Sequence, residues 1–93
     1  MKMLNSLEEL VNIIRDRKNE GRKNSYTNKL LNNKNMCIDK VNEEVGELIE
    51  AIKKNDNKIH EAADVLYHLL VLLENSEIKI EEVMDELKKR QKL

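Results

Sequence analysis

Four carboxylates in two matching pairs are the residues of this chain whose spacing is best suited to chemistry. Glu44 and Glu47 stand three positions apart, and Glu61 and Asp64 repeat that interval further along the chain. Residues three apart on an α-helix lie on one side of it, so each pair can present two carboxylates to a facing helix. Oxygen ligands of this kind suit Mg²⁺ or Mn²⁺ better than zinc. Because Mg²⁺ with few protein ligands usually also binds substrate phosphates, the pattern predicts phosphoanhydride cleavage.

The first pair belongs to a longer acidic stretch. Glu43 and Glu50 add to it, and no basic residue occurs between Val41 and Ala51. Taken alone, such a stretch is most often a solvated helix face, but like charges one turn apart repel each other and a bound cation would relieve them. We expect Glu43 to activate water, although the adjacent Glu44 could exchange roles with it.

Two histidines permit a different interpretation. His60, Asp64 and His68 are spaced at i, i+4 and i+8 and could ligate a transition metal. The nearby carboxylates and the lack of a second histidine-bearing helix favour a hard cation instead. His68 is therefore expected to form hydrogen bonds inside the fold.

A basic segment precedes the acidic helix. Between Arg15 and Lys34 there are seven basic residues against two acidic ones, and Arg17 and Lys18 are candidates for binding substrate phosphates. A solvated connector is the plain alternative for any one of these residues. Over the whole chain 17 Lys and Arg nearly balance 18 Asp and Glu, so no overall field indicates a nucleic-acid or membrane partner.

The elements that must position these residues are helices. The chain has no Pro, Phe or Trp, and its 40% apolar content is almost wholly aliphatic, which makes an all-β fold very unlikely. Helical spacing of the apolar residues predicts an all-α fold of four to five helices. The first predicted helix runs from Leu7 to Lys18. An irregular segment from Asn19 to Asn35 follows, with a short helix capped by Ser25 or Thr27.

Three longer helices are predicted in the rest of the chain. The first has apolar positions from Ile38 to Ile52 and ends at Asn55–Asn57. The next, from Lys58 to Glu74, is very apolar and is expected to be buried on nearly every side. The last has apolar positions from Ile80 to Leu87.

Size and cysteine content bound the remaining possibilities. A chain of 93 residues is interpreted as one domain, residues 1–93, and so small a core makes self-association plausible. Cys37 is the only cysteine, which favours a reducing compartment. With no apolar run long enough for a membrane span, a cytoplasmic protein without a membrane partner is expected.

The motifs around these residues resemble a known family. Glu44-x-x-Glu47 followed by Glu61-x-x-Asp64 is similar to the signature of the all-α, MazG-type nucleoside triphosphate pyrophosphohydrolases. Within that superfamily, three segments resemble the phosphoribosyl-ATP pyrophosphohydrolases of histidine biosynthesis. They are Ser25-Tyr26-Thr27, Lys40-Val41-x-Glu43-Glu44-x-x-Glu47 and the run from Glu61 to Leu73.

The resemblance implies roles for particular residues. Glu44, Glu47, Glu61 and Asp64 would hold Mg²⁺, and Glu43 would assist the attacking water. Lys40 would face the triphosphate, while Ser25, Tyr26 and Thr27 would help to hold the phosphoribosyl nucleotide. The implied reaction converts phosphoribosyl-ATP to phosphoribosyl-AMP and pyrophosphate. The implied assembly is a homodimer of helical hairpins that resembles a four-helix bundle.

Other functions remain open at the level of sequence. Asn42 stands where the family usually has Gly, and Gly46 where it usually has Ala or Thr, so a related nucleoside triphosphate is an alternative substrate. A non-catalytic helical interaction module would leave all the carboxylates on the surface. A nucleic-acid-binding module would use the basic segment and bind in a salt-sensitive way, although Tyr26 would be its only stacking platform.

Overall fold

The fold consists of helices. The computed structural model describes residues 4–20 and 25–91, and no strand occurs among them. The predicted all-α class is confirmed. Its five helices are α1 (Asn5–Glu20), α2 (Tyr26–Leu31), α3 (Lys34–Lys54), α4 (Lys58–Asn75) and α5 (Ile80–Lys89).

Asparagine and serine caps decide where α2 and α3 begin. The Ser25 hydroxyl accepts a hydrogen bond from the backbone N–H of Asn28 at 3.0 Å, which selects Ser25 over Thr27 as the cap. The Asn33 side chain accepts one from the backbone N–H of Met36, also at 3.0 Å. The predicted irregular segment to Asn35 was therefore too long, because the Asn33 cap starts α3 earlier than its apolar residues indicate.

The turn between α3 and α4 depends on two asparagines. Asn55 and Asn57 adopt left-handed backbone angles, with φ of 55° and 57°, which asparagine tolerates better than most residues. The N–H of Asp56 bonds to the carbonyl of Ala51 at 3.0 Å and closes the end of α3. The predicted end of the long helix is confirmed, and the short turn folds α4 back along α3 as a helical hairpin.

Helix α4 lies at the centre of the packing, since each of the other helices contacts it. The fully buried core joins α1, α2, α3 and α4, and partly buried Ile80 adds α5. Cys37 belongs to this core as a free thiol, and burial raises the pKa of that thiol. The buried core residues are Ile14, Leu30, Cys37, Leu70 and Val71.

One expectation about α4 is wrong for the single chain. Burial on nearly every side was predicted, yet Ile59, Leu66 and Leu69 on α4 are exposed. The reason is that the helices that pack against α4 leave these three side chains uncovered within residues 4–20 and 25–91. None of the described helices combines the length and apolar character needed to cross a membrane.

Polar contacts join α2 to the carboxyl end of α4, and α1 to α5. The amide of Asn75 donates to the carbonyls of Leu30 and Leu31 at 2.9 and 2.8 Å, which satisfies the last turn of α2. On α1, Arg15 donates to the Glu81 carboxylate of α5 at 2.9 Å. This guanidinium holds the pKa of Glu81 at about 2.

We expect a single core substitution to show how much stability this small core supplies. Leu30 is fully buried, whereas Leu87 on α5 is 52% exposed. Leu30→Ala should lower the free energy of unfolding by about 2–5 kcal/mol, because it leaves a cavity, and Leu87→Ala by less than about 1 kcal/mol. Urea unfolding at one protein concentration measures both. Equal losses would contradict this description of the core.

Candidate active site

The α3–α4 hairpin brings the two carboxylate pairs together. The negative charge of Glu47 raises the pKa of Glu44 on its own helix and of Glu61 on α4. The charge of Asp64 raises the pKa of the same two groups. Glu47 and Asp64 thus act on both Glu44 and Glu61 across the packed helices α3 and α4. The role of these four carboxylates as metal ligands remains a prediction.

Two of these carboxylates are poorly solvated, Glu44 as a buried residue and Glu61 as a half-buried one. Glu44 is only 7% exposed, and desolvation is the largest cause of its raised pKa. Desolvation is also the largest cause for Glu61. One oxygen of each group, Oε2, is buried and has no hydrogen-bond partner within the part of the chain that the structure describes. Such atoms are costly in a folded protein unless something pairs with them.

The donor atoms are arranged in two groups. On α3, one oxygen from each of Glu43, Glu44 and Glu47 lies within 4.8 Å of the other two. On α4, the same holds for ligand atoms of Glu61, Asp64 and His60, where His60 Nε2 is 3.2 Å from an Asp64 oxygen. The set is dominated by carboxylate oxygens and includes two unpaired ones, so it fits a hard divalent cation.

An open cleft gives access to this cluster. It has a volume of about 570 Å³ and runs between the second half of α3 and the start of α4. Its walls are mostly acidic, with Lys54 as a basic residue at one end. The lining residues are Glu43, Gly46, Glu47, Glu50, Ala51, Lys54, Asp56, Asn57 and Glu61.

Lys40 lies between the acidic cluster and α2. Its ammonium is 3.3 Å from a Glu43 oxygen, and this contact raises the pKa of Lys40. Its positive charge also acts on the Tyr26 hydroxyl, although burial is the larger influence and raises the pKa of Tyr26. The structure therefore places Lys40 and Tyr26 together at the border of the carboxylates.

The Ser25-Tyr26-Thr27 segment has protein partners for all three hydroxyls. Ser25 caps α2, as described above. The Tyr26 hydroxyl lies 2.8 Å from His68 Nε2, and the Thr27 hydroxyl lies 2.5 Å from that of Tyr67. The Tyr26 side chain is nevertheless 43% exposed. A contact between this segment and a nucleotide stays a prediction.

The structure does not bring Lys18 to the carboxylates. Its ammonium donates to the backbone carbonyl of Glu74 at 3.1 Å, about 15 Å along the α4 axis from Asp64. Arg17 lies on α1 beside α2, where its backbone carbonyl accepts a hydrogen bond from the Asn28 amide at 3.3 Å. Two other basic residues of the segment, Arg22 and Lys23, lie outside the described residues.

Both ring nitrogens of His68 are occupied by hydrogen bonds. Nδ1 is 2.7 Å from the backbone carbonyl of Asp64, and Nε2 is bonded to Tyr26. The expectation that His68 bonds inside the fold is confirmed, and the transition-metal alternative loses one of its ligands. The sequence analysis did not foresee Tyr26 as the partner. The available signal was the presence of two adjacent polar pairs, Tyr26-Thr27 and Tyr67-His68. In the structure Tyr26 bonds to His68 and Thr27 bonds to Tyr67.

Comparison with known proteins identifies the family. The family model for phosphoribosyl-ATP pyrophosphohydrolase matches residues 7–91. The chain belongs to the phosphoribosyl-ATP pyrophosphohydrolase family. It is therefore a hydrolase, and the resemblance found in the motifs is confirmed.

Relatives within the phosphoribosyl-ATP pyrophosphohydrolase family cover nearly the whole chain. A phosphoribosyl-ATP pyrophosphatase from Clostridium novyi is 43% identical over 95 residues, which are 99% of this chain and 86% of the relative. One from Clostridium acetobutylicum is 47% identical over 88 residues, 90% of this chain and 79% of the relative. The histidine biosynthesis bifunctional protein HisIE of Prochlorococcus marinus is 38% identical over 92% of this chain but only 39% of its own length.

We expect the cost of the buried charge at Glu44 to be measurable in metal-free protein. Because its pKa is raised in the folded state, the fold binds more protons than the unfolded chain between the ordinary pKa of about 4.3 and the raised value. The free energy of unfolding should therefore fall as pH rises through that interval. Glu44→Gln should weaken this dependence and stabilise the protein at neutral pH.

Urea unfolding in the presence of a chelator, followed by circular dichroism at several pH values, measures the effect. Glu50→Gln is the matched control, because Glu50 is an exposed glutamate on the same helix and should leave the pH dependence unchanged. A Glu44→Gln protein that is less stable than the wild type at neutral pH would contradict the expectation.

Proposed function

We propose that this chain hydrolyses the α–β phosphoanhydride of phosphoribosyl-ATP to phosphoribosyl-AMP and pyrophosphate, the second step of histidine biosynthesis. The supporting structural observation is the facing set of carboxylates, in which Glu44 and Glu61 each have a buried oxygen without a partner in the described part of the chain. The substrate is supported by family membership and by the names of the relatives. Such a cluster is costly to fold unless it binds a cation.

We propose Mg²⁺ as the cofactor, with Mn²⁺ as a possible substitute. Glu44, Glu47, Glu61 and Asp64 would hold it, because they supply oxygen ligands from both helices of the hairpin and carry the unpaired atoms. When bound, the cation would bind phosphate oxygens and offset the charge that develops on the leaving pyrophosphate.

The remaining residues of the site would act on water and on the phosphates. Glu43 lines the open cleft and is more exposed than Glu44. We therefore propose that Glu43 accepts the proton of the attacking water, with Glu44 as the alternative base. The water oxygen bonds to the α-phosphorus, the α–β bond breaks, and pyrophosphate leaves. Lys40 would offset phosphate charge at the Glu43 side of the cluster.

The residues that precede α3 would hold the rest of the nucleotide. Ser25, Tyr26 and Thr27 would contact the phosphoribosyl portion from the border of the site, where Tyr26 is partly exposed. Arg17 would contribute a phosphate contact from the end of α1. A phosphate contact by Lys18 would require it to exchange its bonds to Glu74.

Substitution of the proposed ligands tests the reaction and the cation together. Glu47→Gln and Asp64→Asn should each lower pyrophosphate release from phosphoribosyl-ATP by at least about a hundredfold, since one lost electrostatic contact to a transition state costs that much. Asp39→Asn, an exposed acidic position on α3, should retain wild-type turnover. The measurement is pyrophosphate release with Mg²⁺ and with a chelator, and circular dichroism confirms folding.

Three results would count against the proposal. Wild-type turnover that is unaffected by the chelator would refute the cation. Activity that persists in both ligand variants would refute the ligand assignment. Release from dUTP or dCTP but not from phosphoribosyl-ATP would reassign the chain to a general nucleoside triphosphate pyrophosphohydrolase.

We propose that two copies of the chain associate through an apolar face of the α3–α4 hairpin. This hairpin face consists of exposed residues at helical spacing on both helices. Exposed apolar positions that recur on one flank are typical of an interface, and a second copy would bury them by two-fold symmetry. The residues are Ile38, Val45, Ile49 and Ile52 on α3 and Ile59, Leu66 and Leu69 on α4.

A charge placed on the hairpin face should separate the copies. Ile49 is 48% exposed in the single chain, so Ile49→Lys removes about half of the burial value of an Ile from each copy and should weaken association by about 1.5–3 kcal/mol. Leu87→Lys, which is equally exposed on α5, should leave it unchanged. Sedimentation equilibrium gives the molar mass of each variant. A wild-type chain that sediments as a monomer would exclude the dimer.

We also propose that the reaction takes place in the cytoplasm. Cys37 is a free, buried thiol, and a chain with one unpaired cysteine is suited to a reducing compartment. Immunofluorescence or fractionation of the source cells would test the location.

A further inference from the structure

A chain of hydrogen bonds joins α2 to the backbone of a proposed ligand residue. The Tyr26 hydroxyl is 2.8 Å from His68 Nε2, and His68 Nδ1 is 2.7 Å from the carbonyl oxygen of Asp64. His68 is 6% exposed, so water does not compete for these contacts. The exposed Tyr26 ring is therefore connected through one buried imidazole to the turn of α4 that carries the Asp64 carboxylate.

The carbonyl partner determines the direction of one of the two bonds. A carbonyl oxygen only accepts, so Nδ1 of His68 carries the hydrogen. When the imidazole is neutral, Nε2 is then an acceptor and the Tyr26 hydroxyl donates to it.

Ring packing prevents the imidazole from turning. The His68 ring lies edge-on to Tyr67, with centroids 4.9 Å apart and planes at 84°, and edge-on to Tyr26 at 5.8 Å and 77°. Edge-to-face contacts at these distances are favourable. Tyr26 is also near Glu44 and Lys40, because the charges of both act on its hydroxyl. The bridge through His68 consequently holds the Tyr26 side chain beside the carboxylate cluster and the Lys40 ammonium.

We propose that His68 is a positioning residue, which holds Tyr26 in place to bind the nucleotide beside the carboxylates. This inference rests on the proposed function, since it names the residue on which the affinity of that site depends. His68 would touch neither the reacting phosphorus nor the water. Its loss should therefore raise KM and leave kcat nearly unchanged.

A pair of amide variants separates the two halves of the bridge. His68→Asn places an N–H donor near the position of Nδ1 but nothing near Nε2, so it keeps the bond to Asp64 and loses the bond to Tyr26. His68→Gln extends to the position of Nε2 and can accept from the Tyr26 hydroxyl. His68→Asn and Tyr26→Phe should each raise KM about fivefold, the equilibrium effect of one hydrogen bond, and together no more than either alone. His68→Gln should remain within about twofold of the wild type.

Tyr67→Phe is the control for a purely structural role. It removes another hydrogen bond between α2 and α4, that of the Thr27 hydroxyl, and should lower stability while raising KM less than His68→Asn does. A Tyr67→Phe protein whose KM rises as much as that of His68→Asn would overturn the inference, because any loosening of α2 would then suffice. Additive effects on KM in the double variant that combines His68→Asn with Tyr26→Phe would overturn it as well.

Nitrogen NMR of the wild-type protein tests the two hydrogen bonds of His68 independently of activity. The expected spectrum shows His68 protonated at Nδ1, with Nε2 as a hydrogen-bond acceptor that loses this shift in Tyr26→Phe. Protonation at Nε2 alone would overturn the inference even in an active enzyme. If the wild type released no pyrophosphate from any nucleotide, the proposed function would fail, and the spectrum would still decide whether His68 holds Tyr26.

Discussion

Mutual repulsion of carboxylates between two packed helices is the constraint on which the site depends. Desolvation is the largest cause of the raised pKa of Glu44 and of Glu61, and the charges of Glu47 and Asp64 raise it further. Helices α3 and α4 would separate at this point if nothing else held them. The hairpin turn at Asn55 and the core around Val71 supply what holds them. The fold thus keeps one oxygen each of Glu44 and Glu61 buried without a partner in the described part of the chain.

The short helix α2 places an aromatic side chain, that of Tyr26, beside the carboxylates. With six residues it is too short to be stable alone. Its position depends on Ser25 at one end, on Asn75 at the other, and on the hydrogen bonds of Tyr26 and Thr27 to α4. These contacts place an aromatic ring near Lys40 of α3, at the edge of the carboxylates.

The exposed hairpin face has a physical cause in the size of the chain. In this chain of 93 residues, the helices that pack against α4 leave part of its apolar surface uncovered within the described residues. Leu66 and Leu69 are consequently left in solvent, although their helix is the most apolar of the five. The sequence pattern indicated full burial because periodicity records which residues are apolar. It does not record whether the same chain or another copy covers them.

The sequence by itself determined the helices, the turn at Asn55–Asn57, the carboxylate pairs and the family, because these depend on local spacing and on residue type. Tertiary structure decided what no local rule contains. It turned Lys18 toward Glu74 and away from the cluster, left oxygens of Glu44 and Glu61 without partners in the described chain, and bonded His68 to Tyr26 across 42 positions of sequence. Each of these outcomes depends on how far the helices rotate against one another when they pack. That rotation is set by the whole core, so no single segment of the sequence specifies it.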